Sequence, residues 1–182
     1  MTEDNVLQSL DFENGATRWE GANLGWMTVK GKGTSHVTGT LTSSVATDST
    51  TGNKYFSVNY KGWGSWSAFN FGHFEAGTYT ITMDVKLVSG TISGNFIKRV
   101  GGKNVALTEG VDYTVNGTKY TFTITLDSDC TNFGIGYASI EGKNANFVLG
   151  YDNIYVTVGS QTDGGAGDSY DWIDGIIGKK NN

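Results

Sequence analysis

The sequence predicts an all-β domain of two packed antiparallel sheets or a barrel, and three observations carry that expectation. Apolar and polar residues alternate at period two along most of the chain, and a helical period appears only in the last dozen residues. Gly, Thr, Ser and Asn are in excess over Leu, Ala, Glu and Lys, with five Trp, nine Tyr and nine Phe among them, a balance that suits pleated strands and many turns. Turn chemistry also recurs at short intervals: ENG at 13–15, GKG at 31–33, TTGN at 50–53, EAG at 75–77, VGGKN at 100–104, VNG at 115–117 and EGKN at 141–144. About ten short strands punctuated in this way give a sandwich or a barrel.

Taken along the chain, the first strands are expected at 6–13, 25–30 and 35–41. The stretch NKYFSVNYKG follows, with Phe56, Val58 and Tyr60 on its apolar face, and then 68–74. The clearest alternation is GTYTITMDVKLVSG, which places Tyr79, Ile81, Met83, Val85 and Leu87 inward and Thr80, Thr82, Asp84 and Lys86 outward. Strands at 94–100, 132–140 and 146–158 and the alternating KYTFTITLDS, with Tyr120, Phe122, Ile124 and Leu126 inward, complete the body. The folded body is thus expected at 1–158. Residues 159–169, rich in Gly, Ser and Asp, read as a linker. Residues 170–182 form a tail in which Tyr170, Trp172, Ile173, Ile176 and Ile177 are loosely helical, and it is expected either to dock on the body or to be flexible.

Bulk properties exclude several function classes. With 182 residues, 37% of them hydrophobic and 17% charged, the chain can bury one sizeable core. A net charge of −5 disfavours a phosphate-binding surface, so no nucleic-acid partner is expected, and a neutral partner is easier to accommodate. No apolar run is long enough to span a membrane, so no membrane insertion is expected. The single Cys130 cannot form an internal disulfide. The start MTEDN lacks a secretory signal and reads as the start of a piece cut from a longer protein.

Catalysis finds no support. The six glutamates lie at termini and turns, and two acids two apart on a strand occur once, as Asp11 and Glu13. His36 and His73 have no neighbouring Cys, His or carboxylate at metal-ligand or triad spacing. GKG and VGGK lack the strand-to-helix setting of a phosphate cradle. The chain is therefore not expected to be an enzyme.

Aromatic surplus points elsewhere. The inward sets fill a core without Trp63 and Trp66, which stand beside Gly62 and Gly64 in KGWGSWSAFNF, where the glycines permit a turn that projects both rings. Sugars bind through flat aromatics and a few amides and charges. Outward positions that match are Asn59, Lys61, Asn70, Asp84, Lys86, Asn95 and Arg99, with Glu141 a further candidate. Tyr137 joins them if its strand turns that side outward, although its alternation with Phe133 and Ile135 favours the core.

Four motifs in order carry a resemblance: LDFENG near the start, GNKYFSVNYKG, AGTYTITMDVK, and the closing FVLGYDNIYVTVG. Over roughly 5–158 the chain resembles the jelly-roll carbohydrate-binding modules that include the xylan- and glucan-binding families four, nine, sixteen and twenty-two. The resemblance implies a jelly-roll β-sandwich and a structural calcium ion held by Glu13 and Asp152, with Asp11 or a carbonyl near Gly52 and Asn53 contributing. It also implies a non-catalytic module of a secreted or cell-surface multidomain protein. Such a module would bind a polysaccharide, either cell-wall β-glucan or xylan or starch-type α-glucan, and deliver a glycan-degrading partner to it. The alternative is a protein-interaction or adhesin sandwich with the Trp pair as its hot spot, and a small glycosidase or lyase comes third.

Overall fold

The computed structural model describes residues 6–10, 26–29, 40–64, 66–140, 143–159, 170–173 and 176–179, with side chains described at 41–62, 64, 66–140 and 143–159. The described residues form two seven-stranded sheets packed face to face, with strands numbered β1 to β14 along the chain. Sheet 1 runs β3 (Thr40–Thr47), β4 (Lys54–Trp63), β12 (Asn144–Val158), β6 (Gly77–Thr91), β10 (Lys119–Leu126), β9 (Tyr113–Asn116), and β1 (Val6–Leu10) also pairs with β12. Sheet 2 runs β13 (Tyr170–Ile173), β14 (Ile176–Lys179), β5 (Trp66–Phe74), β11 (Cys130–Ala138), β7 (Asn95–Val100), β8 (Lys103–Ala106), with β2 (Trp26–Val29) also on β5. Pairing between these strands is antiparallel, apart from the parallel contact of β14 with β5.

The alternation read from the sequence is what closes the core. Phe56, Val58 and Tyr60 of β4, Tyr79 to Val85 at every second position of β6, and Phe122, Ile124 and Leu126 of β10 are buried from sheet 1. They meet Phe69 and Phe71 of β5 and Phe133, Ile135 and Tyr137 of β11 from sheet 2. Edge-to-face and tilted ring pairs such as Phe69–Tyr151 at 5.2 Å and Phe74–Phe133 at 5.1 Å fill the space between the sheets. One buried polar group crosses it. The Tyr60 hydroxyl lies 2.6 Å from Ser67 Oγ on the opposite sheet and 2.9 Å from the Tyr151 hydroxyl. Burial pushes both tyrosine hydroxyls well above their usual range.

Several boundaries differ from expectation. Leu87 is 46% exposed although it stands opposite the buried Leu149, because every residue of β6 from Lys86 to Thr91 is exposed and the strand there runs past the packed core. The third strand covers Thr40–Thr47 where 35–41 was expected, and residues 35–39 lie outside the described residues. In that Ser/Thr-rich edge strand only Leu41 and Val45 pack against the core, so period two is not visible. The short edge strands β8 and β9 sit in stretches that read as turns. In the tail, Tyr170–Ile173 and Ile176–Lys179 are strands, and the helical reading is corrected. Backbone pairing at the edge of sheet 2 satisfies groups that a short isolated helix would leave to solvent.

Candidate functional site

Gly62 (φ 89°) and Gly64 (φ 65°) both adopt the left-handed conformation that favours glycine. They mark the point where the chain leaves sheet 1 at the end of β4 and enters sheet 2 at the start of β5. Trp63 closes β4 opposite Asn144, and its ring lies outside the described residues. Trp66 opens β5 as the first outward residue, because Ser67, Phe69 and Phe71 take the core side and leave Trp66, Ala68 and Asn70 on the outer face.

Register extends this face across three more strands. Opposite Trp66, Ala68 and Asn70 stand Ala138, Gly136 and Gly134 of β11. Opposite those stand Asn95, Ile97 and Arg99 of β7, and β8 adds Ala106 and Asn104 beside Ile97 and Arg99. The middle strand carries no side chain at Gly134 or Gly136, and the close approach of β5 requires this. A Cβ at Gly134 would lie 2.6 Å from the Phe69 carbonyl oxygen, and one at Gly136 would run into the Ser67 carbonyl. Over this bare strip the Arg99 guanidinium lies on the Trp66 ring, 4.4 Å from its centroid. Arg99 reaches it diagonally, since the two residues are two rows apart, and its Nη1 donates to Asn104 Oδ1 at 2.8 Å. Asn70 Nδ2 donates to Asn132 Oδ1 at 3.3 Å, and Asn70 Oδ1 accepts the Gly72 N–H at 3.0 Å. The result is an indole–guanidinium stack over a buried short-side-chain floor, with the exposed amides of Asn95, Asn104 and Asn132 around it and the buried Asn70 engaged beneath.

The remaining sequence candidates are not brought to this face. Asn59, Lys61, Asp84 and Lys86 project from the outer side of sheet 1, alternating with the buried Val58, Tyr60, Met83 and Val85. There Lys86 Nζ pairs with Asp48 at 3.2 Å and sits 4.7 Å from the Tyr55 ring centroid. Asn59 Oδ1 is buried without a hydrogen-bond partner among the described residues. Asp84 of β6 stands directly opposite Asp152 of β12, beside a bulge at which Asn153 has a φ of 48°. Asn53 Nδ2 donates to Asp152 Oδ2 at 2.7 Å, Asn153 N–H to Asp152 Oδ1 at 2.8 Å, and Asn153 Nδ2 to Asp84 Oδ2 at 2.8 Å. Asn53, Tyr55, Asp84, Lys86, Asp152 and Asn153 line a shallow cavity of about 140 Å³.

Tyr137 is corrected to the core. It is 3% exposed, packed against Phe96 at 4.9 Å and Phe147 at 5.7 Å, and burial pushes its hydroxyl up to about 12. Glu13 and Glu141 lie outside the described residues. Asn104 and Asn132 were missed in the sequence, where Asn104 reads only as part of the VGGKN turn. The signal for it is its place two residues past the glycine pair, opposite Arg99 once the turn closes β7 on β8. Among the described residues no three His, Cys, Asp or Glu side chains come together as a metal-binding group.

Neither a protein-family model nor a curated protein sequence matches the chain. Solved structures do. The CBM22-1 xylan-binding domain of Xyn10C from Paenibacillus barcinonensis superposes with a TM-score of 0.51 at 16% identity, covering 87% of this chain and 97% of that domain. The CBM22-1–GH10 modules of xylanase 10B from Clostridium thermocellum, solved with xylohexaose, give 0.50 at 15% identity, over 90% of this chain and 30% of that one. The family 11 carbohydrate-binding module from Clostridium thermocellum, in complex with a β-1,3-1,4-mixed-linked tetrasaccharide, gives 0.45 at 15% identity, over 84% of this chain and 95% of that module. The chain has the jelly-roll β-sandwich fold that the two CBM22 structures share.

Proposed function

We propose that the protein is a non-catalytic carbohydrate-binding module that lays a polysaccharide chain across the outer face of sheet 2. The observation that carries this reading is the Trp66–Arg99 platform above the Gly134–Gly136 strip. A sugar ring presents an apolar C–H face and a rim of hydroxyls. The half-buried indole, one face of which carries the Arg99 guanidinium, offers its remaining surface for the first, and the exposed amides of Asn95, Asn104 and Asn132 offer donors and acceptors for the second. The shared fold with xylan-binding modules supports the same reading. The candidate ligands are xylan, β-glucan and starch-type α-glucan.

In this reading the module belongs to a larger secreted or cell-surface protein that degrades glycans. Its contribution is tethering, which raises the local concentration of a catalytic partner on its substrate. A structural calcium ion belongs to the proposal, held by Asp152 with Glu13. The chemistry around Asp152 fits such an ion. Asp152 and Asp84 are like charges on directly opposed residues, an arrangement that favours a cation between them, and the Asn53 and Asn153 amides, which donate Nδ2 hydrogens to these carboxylates, would turn their oxygens to the ion. The ion would supply cross-linking of strand ends.

Titration calorimetry against soluble xylan, mixed-linkage glucan, mannan and starch tests the reading. At least one of them should bind, and Trp66→Ala should weaken retention in an affinity gel by about tenfold or more while the circular dichroism spectrum is kept. Absence of binding to every glycan would sink it.

A further inference from the structure

Among the described residues, the charge on the proposed binding face is one-sided. Of the side chains on the rows Trp66–Ala138–Asn95, Ala68–Gly136–Ile97–Ala106 and Asn70–Gly134–Arg99–Asn104, one is charged, and it is a cation. Among the described residues the recorded ion pair is Lys86–Asp48 on the other sheet, and Arg99 has no carboxylate within ion-pair distance. This guanidinium, without a carboxylate partner among the described residues, sits in a chain whose net charge is −5, where carboxylates outnumber cations. Its plane is fixed by the indole beneath it, and one of its edges is fixed by Asn104. A guanidinium carries five N–H donors, so the remaining edge still presents donors in a fork that matches the two oxygens of a carboxylate. Holding it in place beforehand lowers the ordering cost of binding.

We infer that the outer face of sheet 2 selects polysaccharides bearing carboxylates, such as chains with uronic acid residues or branches, and that Arg99 is the residue that reads the carboxylate. This rests on the glycan-binding reading and narrows its ligand class. The backbone of the chain lies on the platform and amides, and the acidic group meets the guanidinium edge. Asn104 is a positioning residue, because it acts by orienting Arg99. Neutral hydroxyls also accept from a guanidinium, but a charge-assisted bidentate pair is roughly twice as strong, so the acidic chain gains over its neutral counterpart.

The test compares each neutral polysaccharide of the panel with the same backbone carrying carboxymethyl groups, by calorimetry or affinity gel in 0.15 M NaCl. At that ionic strength the diffuse field of the net negative protein is screened beyond about 8 Å, and direct contacts remain. The expected result is that the carboxylate form of at least one backbone binds about tenfold more tightly, and that Arg99→Gln brings the ratio of the two affinities close to one. Arg99→Lys should leave a ratio between these, because the charge is kept and the fork is lost. A thermal melt of each variant checks that the fold persists, and the wild-type ratio stands without any variant. Equal affinity for both forms, or preference for the neutral one, overturns the inference and leaves glycan binding standing. Binding to neither form of any backbone overturns both.

Discussion

Asp48 shows how one side chain holds a connection that the sequence marks only as a turn. Its carboxylate accepts the Thr50 N–H at 2.8 Å, the Thr51 N–H at 3.0 Å and the Lys86 ammonium at 3.2 Å, so it ties the β3–β4 turn to β6 of the same sheet. These donors favour the charged form and lower its pKa from 3.8 to about 2, with the Thr51 and Thr50 amides first among the causes. A depressed pKa stabilises the fold above the unfolded value, and that stability is lost as pH falls through the folded value. Asp48→Asn should therefore flatten the decline of melting temperature between about pH 4 and pH 2. Identical slopes for wild type and variant would refute this.

At the level of strands, β4 and β5 are joined twice, by the chain itself through Gly62 and Gly64 and by the hydroxyl contact of Tyr60 with Ser67. Tyr60, Ser67 and Tyr151 are all fully buried, and the hydrogen bonds make that burial tolerable. Tyr60→Phe keeps the ring and its stacking on Phe147, 4.9 Å away, but leaves the Ser67 hydroxyl buried without this partner. The expected cost is about 1–3 kcal/mol in urea denaturation. Ser67 points to the core while Trp66 points outward, so glycan affinity should stay unchanged. A loss of affinity equal to that of Trp66→Ala would show that the two sides of β5 are not independent.

Across the whole molecule, the two 15-residue strands β6 and β12 form the spine of sheet 1. β12 pairs with β4 up to Tyr151 and with β1 from Ile154 onward, and the bulge at Asp152 and Asn153 is where it changes partner. A calcium ion at Asp152 would cross-link the strands meeting there, and its binding free energy would add to stability by mass action. Chelator should lower the melting temperature by several degrees, and Asp152→Asn should abolish the difference. An unchanged melting temperature in chelator removes the calcium proposal.

Sequence alone determined the fold class and most of the core, because alternation at period two commits every second residue of β4, β6 and β10 to one face whichever strand lies beside it. It also singled out Trp66 and Arg99, the first from surplus aromatic surface and the second from its outward parity, although nothing in the chain connects them. Only tertiary structure decided that Trp66, Asn70 and Arg99 share one face while Asn59, Lys61, Asp84 and Lys86 occupy the opposite one. Parity says that a residue points out, but not from which sheet. That choice is made where the backbone crosses between sheets at Gly62 and Gly64, and by the register that sets β7 two rows across β11 from Trp66. Those pairings join residues more than thirty positions apart, so no local pattern encodes them.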